Sequence, residues 1–381
     1  MDIMGFQAGA LTEQHGYRSF SPSRINHPWT WQDARINTLL AEANLRLGEL
    51  NAFSLYVPDI EMFIRMHCIK EATTSSKIEG TRTELEEALR PERSIHPERR
   101  DDWQEVQNYV ATMNHAIGRL RRLPLSTRLL KETHGILMKG VRGSSKLPGE
   151  YRRSQNWIGG ATIDDAVFVP PHHSEISMLM SDLEKFLHDQ KNNVPVLVKA
   201  AIAHYQFETI HPFLDGNGRL GRLLTTLFLV STGLLNKPTL YLSEYFERHR
   251  STYYDHLTLV RTTNDLSRWL TFFLAGAIEI SKKGAKTLQD VLQLKERLLR
   301  KEIPAFGRRA PNASALLDLL YRTPYASAAD VQKALKVTAP TANTLLDGFI
   351  KAKIIKEVTG GKRNRLFVFD EYVKLFSVRG S

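Results

Sequence analysis

One cysteine, Cys68, stands in 381 residues, so no intramolecular disulfide can form and the chain suits a reducing compartment. Cys68 lies among Met62, Phe63, Met66 and Ile69, the surroundings of a buried core thiol rather than a nucleophile. The chain also lacks any run approaching ~18 uninterrupted apolar residues, which excludes a helical membrane span. Its opening residues, Met1-Asp2-Ile3-Met4-Gly5-Phe6, show no basic region followed by an apolar run, so no signal peptide is expected. The chain therefore reads as cytoplasmic, with no membrane partner. The pair His172-His173 invites a metal, but no further ligand stands around it at metal spacing.

What is present is the composition of a folded soluble chain, 42% hydrophobic and 24% charged. Its length exceeds one ordinary core and predicts two or three domains. The net charge of +11 is unevenly placed, with thirteen Lys/Arg against six Asp/Glu in residues 305–381. A basic tail of that density fits an acidic partner such as nucleic acid, and equally fits ordinary solubilising charge.

The most informative stretch is His211-Pro212-Phe213-Leu214-Asp215-Gly216-Asn217-Gly218-Arg219-Leu220-Gly221-Arg222. Apolar residues at helical spacing precede it over 194–210, and a nearly all-apolar helical run succeeds it over 220–235. Between them the glycines permit a tight turn whose backbone N–H groups can converge on a phosphate, aided by the positive end of the next helix. The loop holds a candidate base (His211), a hard-metal ligand (Asp215), an anion nest (Gly216 to Gly218) and two arginines three apart (Arg219, Arg222). These are the parts that phosphate transfer requires.

This stretch resembles the Fic (filamentation induced by cAMP) motif, His-x-Phe-x-Asp/Glu-Gly-Asn-Gly-Arg-x-x-Arg, and fills all eight fixed positions. A second motif, Ser75-Ser76-Lys77-Ile78-Glu79-Gly80, resembles the family's inhibitory motif Ser/Thr-x-x-x-Glu-Gly/Asn. The resemblance implies that Glu79 pairs with Arg222. A carboxylate holding that guanidinium would occupy the group needed by the γ-phosphate of ATP and repel the phosphate itself. The inhibitory segment, with Ser75, Glu79 and Gly80, is expected on a long helix over about 60–89.

The segment Leu147-Pro148-Gly149-Glu150-Tyr151-Arg152 resembles the lead into the Fic flap, which is expected over about 157–169. Trp157-Ile158 and Val167-Phe168-Val169 would be its strands, with Asp164-Asp165 near the turn. Ile158, Gly159, Gly160, Val167 and Phe168 would hold a target polypeptide by main-chain pairing. Tyr253-Tyr254 resembles an aromatic pair lining the adenine pocket, with Tyr254 the better nucleotide contact and core packing almost as good an account. His204, two turns before His211, reads as a core histidine.

The expected fold is mainly α: a Fic-type helical bundle with a small β-hairpin flap, plus a C-terminal winged-helix domain. Residues 1–59 form an arm anchored by Trp29 and Trp31 and then a helix, 60–280 the Fic domain, 281–304 a linker helix and 305–381 the last domain. Separate helices are expected at 267–280 and 282–303. In the last domain, helix–helix–helix–ribbon resembles a winged helix. There Thr338 would cap the third helix, and a DNA-binding version would use Thr341, Asn343 and Thr344 on bases and Lys362, Arg363 and Arg365 on phosphates.

The resemblance implies adenylylation (AMPylation), transfer of AMP from ATP to a Ser, Thr or Tyr hydroxyl of a target protein. His211 would be the base, Asp215 would hold Mg²⁺, and Gly216, Asn217 and Gly218 would cradle the phosphates. Arg219 would take the β-phosphate and Arg222 the γ-phosphate, with Leu220 and Gly221 completing the ATP-binding stretch and Phe213 anchoring the loop. Three other readings compete: a Fic enzyme that removes AMP or uses another donor, a DNA-binding regulator with a dormant core, and a self-modifying assembly module. A homodimer is the expected assembly.

Overall fold

Apolar residues at helical spacing dominate the chain from residue 34 onward, and the chain is helical there. The computed structural model describes residues 3–30, 32–56, 60–140, 145–361 and 364–377. A hairpin of β1 (Gly9–Glu13) and β2 (Arg18–Pro22) opens the chain. After it come the helices α1 (Ala34–Tyr56), α2 (Ile60–Ile78), α3 (Leu85–Ala88), α4 (Arg100–Leu120), α5 (Thr127–Leu137) and α6 (Ile176–His188). Next are α7 (Val196–Ile210), α8 (Asn217–Ser231), α9 (Ser243–Arg248), α10 (Arg250–Thr263) and α11 (Leu266–Arg297). The C-terminal unit comprises α12 (Ala310–Arg322), β3 (Tyr325–Ser327), α13 (Ala328–Leu335), α14 (Ala339–Lys351), β4 (Lys356–Glu357), β5 (Leu366–Val368) and α15 (Asp370–Lys374). Among the described residues no helix is long and apolar enough to cross a membrane.

The centre is the pair α7 and α8, whose residues are almost all buried. An all-round apolar helix is stable only where neighbours surround it, and here α4, α5, α6 and α11 do so. Helix α11 runs for 32 residues, so at 1.5 Å per residue it spans ~48 Å and lies along α1. The break expected at Ser281 does not occur. Ser281 is fully buried, and a Cβ on Gly284 would stand 3.1 Å from Leu50 Cδ1, so the small residues admit α1 rather than end the helix.

Helix α2 ends at Ile78, short of the expected limit near residue 89. Gly80 adopts φ +100°, and Gly80 N–H donates to Lys77 O while Thr81 N–H donates to Ser76 O. This left-handed glycine closes the helix as a C-terminal cap does, and it leaves Glu79 on the turn. The N-terminal arm is held down along its length: Phe6, Ile25 and Trp29 are buried, and Phe20 N–H donates to Val169 O of the flap at 2.9 Å. Trp31 lies outside the described residues.

In the C-terminal unit, β3, β5 and β4 form one antiparallel sheet in that order, with Tyr325 and Lys356 both opposite Val368. Ser327 and Asp330 form a reciprocal capping box that starts α13. Thr338 precedes α14 but its side chain makes no capping bond, its hydroxyl lying 3.0 Å from that of Thr341. The strand expected over 353–358 is only Lys356–Glu357, because Lys353 turns at φ +58°. Lys362 and Arg363 lie outside the described residues. This unit packs on α2, where the Phe376 ring stands 5.8 Å from Phe63 and 5.3 Å from His67.

Candidate active site

The catalytic-type loop begins where α7 stops. His211 takes φ +49°, ψ +60° and its N–H donates to Phe207 O at 2.9 Å. A non-glycine residue in this left-handed region is uncommon and is held here from outside. Arg152, itself buried, donates from Nε to His211 O at 3.0 Å, from Nη1 to Ser154 O and from Nη2 to Pro171 O, while its backbone N–H donates to Pro212 O. By sequence, Arg152 belongs only to the approach to the flap. Its role as the brace of the loop depends on contacts far along the chain.

Asn217 acts within the loop. Its Oδ1 accepts from Phe213 N–H and its Nδ2 donates to Phe213 O, both at 2.8 Å. Asn217 is buried, and its side chain shapes the turn. Phe213 is buried and stacks on His134, ring centroids 3.9 Å apart. Because Gly149 N–H donates to His134 Nδ1 at 2.8 Å, the His134 proton is on Nε2 and donates to Asp215 O at 3.0 Å. Burial lowers the His134 pKa to about 4, which keeps the ring neutral and this tautomer in place.

Gly216 stands just before α8, and its φ of +75° suits glycine, while its Cβ position is closed by Met138 Sδ at 2.9 Å. Leu220 is a core residue, and Gly221 lies against Phe207 and Glu208 with no room for a Cβ. Arg219 donates to Glu105 of α4 at 3.1 Å and stands 3.7 Å from Asp215. Glu105 gave no signal in the sequence, being one acidic residue on an amphipathic helix. Asp215 keeps a half-exposed carboxylate, with one oxygen accepting from Gly216 N–H at 2.5 Å.

Arg222 is buried and held at three points by the end of α2 and the turn after it. Its Nε donates to Ser75 Oγ at 2.9 Å, and its Nη2 donates to Ser75 O at 2.9 Å and to Glu79 Oε1 at 2.7 Å. Burial opposes the charge of Glu79, but the Arg222 guanidinium outweighs it and holds the carboxyl below its usual range. A Cβ on Gly218 would collide with Glu79 Oε1. The carboxylate thus covers the N-terminus of α8, where an anion finds unpaired N–H groups and the positive helix end. Gly80 permits the turn but touches nothing in the loop within 4 Å of its Cβ position.

Around His211 the field is set by burial. Desolvation, with Arg152 and Arg261 nearby, lowers its pKa to about 4, while Glu79 pulls the other way. His211 is therefore neutral at pH 7, and its Nδ1 is buried without a partner among the described residues. One turn earlier, burial raises the Glu208 pKa to about 7. His204 is a core histidine, bonded to Gly221 O at 3.0 Å and to Tyr253 O–H at 2.9 Å. Tyr253 is buried, whereas Tyr254 is 40% exposed and so remains open to a ligand.

The flap is smaller than a two-stranded hairpin. Ile158 and Phe168 form a single antiparallel bridge, with N–O distances of 2.8 and 3.1 Å. Gly159 and Gly160 turn at φ +71° and +72°, and a Cβ on either would strike Val167 or Asp165. Asp165 accepts from Ala161 and Thr162 N–H groups, which lowers its pKa to about 2. The turn thus bonds to itself and leaves no length for a ladder. Val167 is 73% exposed, while Arg261 lies 3.8 Å over the Phe168 ring.

The comparisons with known proteins agree with this architecture. Residues 37–118 match the Fic/DOC family N-terminal domain and residues 124–229 match the Fic/DOC family domain. The protein adenylyltransferase Fic of Aedes aegypti is 38% identical over 125 residues, 32% of this chain and 22% of that protein. That of Drosophila melanogaster is 30% identical over 173 residues, 42% of this chain and 32% of that protein. The chain thus spans no more than about a third of the length of these curated relatives. In fold, it resembles a Fic family protein from Desulfovibrio desulfuricans G20 at a TM-score of 0.58 and 22% identity, over 93% of this chain and 99% of that one. A Fic domain containing signaling protein from Bacteroides thetaiotaomicron matches at 0.52 and 18% identity, over 68% and 97%. With all eight fixed loop residues in place, residues 37–118 and 124–229 carry the two domains of the Fic/DOC family in order.

Proposed function

We propose that the chain is a protein adenylyltransferase that moves AMP from ATP to a hydroxyl side chain of a target protein and is held inactive by Glu79. The observation that carries this is the three-point grip on Arg222 by Ser75 and Glu79 directly over the start of α8. An acid so placed mimics a phosphate, which supports a phosphate site beneath it. The names of the relatives support adenylyl as the group moved.

In this reading the target hydroxyl lies beside His211, whose neutral ring accepts the hydroxyl proton as the oxygen attacks the α-phosphorus. The new O–P bond forms as the bond from the α-phosphorus to the bridging oxygen breaks, and pyrophosphate leaves. The backbone of Gly216, Asn217 and Gly218 and the N-terminus of α8 receive the phosphates, Arg219 the β-phosphate and Arg222, once freed, the γ-phosphate. The base of ATP lies against Tyr254. The half-exposed Asp215 carboxylate suits Mg²⁺, a hard ion that keeps several waters and needs few protein oxygens. Mg²⁺ there would neutralise charge on the α- and β-phosphates. The exposed edge at Val167, beside Ile158, Gly159, Gly160 and Phe168, takes an extended target segment by strand addition.

The test compares wild type, Glu79→Gly and His211→Ala with ATP labelled at the α- or the γ-phosphate, in the presence of Mg²⁺ and a lysate. Label from the α-position only, raised by Glu79→Gly and lost in His211→Ala, is expected. Label from the γ-position alone makes the chain a phosphotransferase, and no label from either sinks the proposal.

The C-terminal unit favours a second, separable role in DNA binding, because Asn343 and Thr344 are exposed on α14. Its test is a gel shift that weakens with salt and is lost in Lys362→Ala/Arg363→Ala/Arg365→Ala.

A further inference from the structure

Between the helical core and the C-terminal unit, away from the loop, lies a groove of about 520 Å³. Its walls come from four stretches distant in sequence. Helix α2 supplies Arg65, the connector after α3 supplies Arg90 and Arg93, α4 supplies Trp103, and the C-terminal unit supplies Arg322, Tyr325 and Asp330. Four arginines and one acidic residue, Asp330, line it. That carboxylate is already engaged, since Asp330 closes the capping box of α13 and stands 3.9 Å from Arg93.

The groove has more donors than acceptors. Arg65 and Arg322 are exposed and make no ion pair with a described residue. Arg90 lies 5.7 Å over the Tyr325 ring, and its Nε is buried without an acceptor among the described residues. The indole N–H of Trp103 is buried without such an acceptor as well. Those two N–H groups are closed to solvent, so a partner from outside would meet the exposed Arg65, Arg93 and Arg322. Guanidinium forks match phosphate oxygens in charge and geometry, and an indole face suits a planar ring. The volume is that of a small-molecule site.

We propose that this groove binds a phosphorylated small molecule, with its phosphates on Arg65, Arg93 and Arg322 and its remainder against Trp103. Nothing in this depends on transfer chemistry at the loop. A nucleotide and a free oligophosphate share the recognising chemistry, and the two are separated by titrating both.

Trp103 is one of five tryptophans, so its fluorescence is isolated by difference from Trp103→Phe. ATP and inorganic tripolyphosphate are added at constant ionic strength and without Mg²⁺ to wild type, Trp103→Phe, Arg65→Ala/Arg322→Ala and Arg222→Ala. A saturable quench is expected in wild type and in Arg222→Ala, absent from Trp103→Phe, and weakened about tenfold or more in Arg65→Ala/Arg322→Ala. Tighter binding of ATP assigns a nucleotide, and equal affinity assigns the phosphates alone. Calorimetry on Arg93→Ala, whose side chain is exposed, gives a second measure should the double variant unfold. A signal that fails to saturate, that is lost in Arg222→Ala, or that is unchanged in all the groove-arginine variants overturns the proposal. So does a DNA duplex that quenches more tightly than either anion.

Discussion

Glu79 Oε1 accepts a hydrogen bond from Arg222 Nη2 at 2.7 Å while its carboxylate closes the space above Gly218. One side chain thus engages the cation and fills the space over the N-terminus of α8, where the proposed phosphates would lie. Glu79→Gly removes both effects. A charge-assisted hydrogen bond is worth ~1.5–3 kcal/mol, so α-phosphate labelling should rise roughly ten- to a hundredfold. Unchanged labelling at saturating ATP would reject the regulation.

Ser75 holds Arg222 by its hydroxyl and by its carbonyl. Ser75→Ala deletes only the first, leaving Glu79 over Gly218. Labelling is expected to rise, but by less than in Glu79→Gly. An increase equal to that of Glu79→Gly would show that the grip on Arg222, and not coverage of the nest, is what inhibits.

His211 is neutral down to about pH 4 because burial disfavours its charged form. The acid limb of kcat/KM for Glu79→Gly should therefore lie well below pH 6.5, and loss of Glu79 moves it lower, since that carboxylate favours the protonated ring. His211→Ala should cost ~10²–10⁴-fold in rate, the usual contribution of a general base. An acid limb centred near 6.5 would place the base elsewhere.

Arg152 satisfies carbonyls from Ser154, Pro171 and His211 at once. Arg152→Ala leaves the buried Pro171 carbonyl and the part-buried His211 carbonyl without this donor, which should destabilise the fold by about 2–4 kcal/mol. Labelling should fall too, because the left-handed turn at His211 loses its brace. A denaturant midpoint equal to wild type would show that water replaces the guanidinium.

His134, His204 and His211 have folded-state pKa values lowered by burial to about 4, 3 and 4. On unfolding, each returns to near 6.5 and takes up a proton below that pH. Their contribution is therefore intact above pH 6.5 and lost as pH falls towards 4. Glu208, raised to about 7, works oppositely, favouring the fold at low pH and costing stability as pH rises through 7. A thermal midpoint that drops between pH 6.5 and 4 is expected, and a flat profile would mean that these rings are hydrated.

The loop is legible in the sequence because local chemistry imposes it. Glycines at 216 and 218, an acid, two arginines and a histidine within twelve residues have few uses other than phosphate binding. Glu79 is legible only through its resemblance to the family motif, and the expected helix runs too far because the turn at Gly80 depends on one backbone angle. Arg152, Glu105 and His134 carry no local signal, since each acts on a loop at least 59 positions away. The flap falls short of two strands, because the positive-φ glycine pair and the Asp165 cap absorb the residues that a ladder would need.

By itself the sequence determined the helical class and the phosphate-type loop, since periodic apolarity and turn chemistry act over a few residues. Only the tertiary structure decided that α2 delivers Ser75 and Glu79 onto Arg222, that α4 holds Arg219, and that four distant arginines line one groove. Those contacts depend on where helices cross, and crossings are set by small residues such as Gly221, Gly276 and Gly284 that let neighbouring side chains approach. A side chain's role then depends on what packing brings beside it.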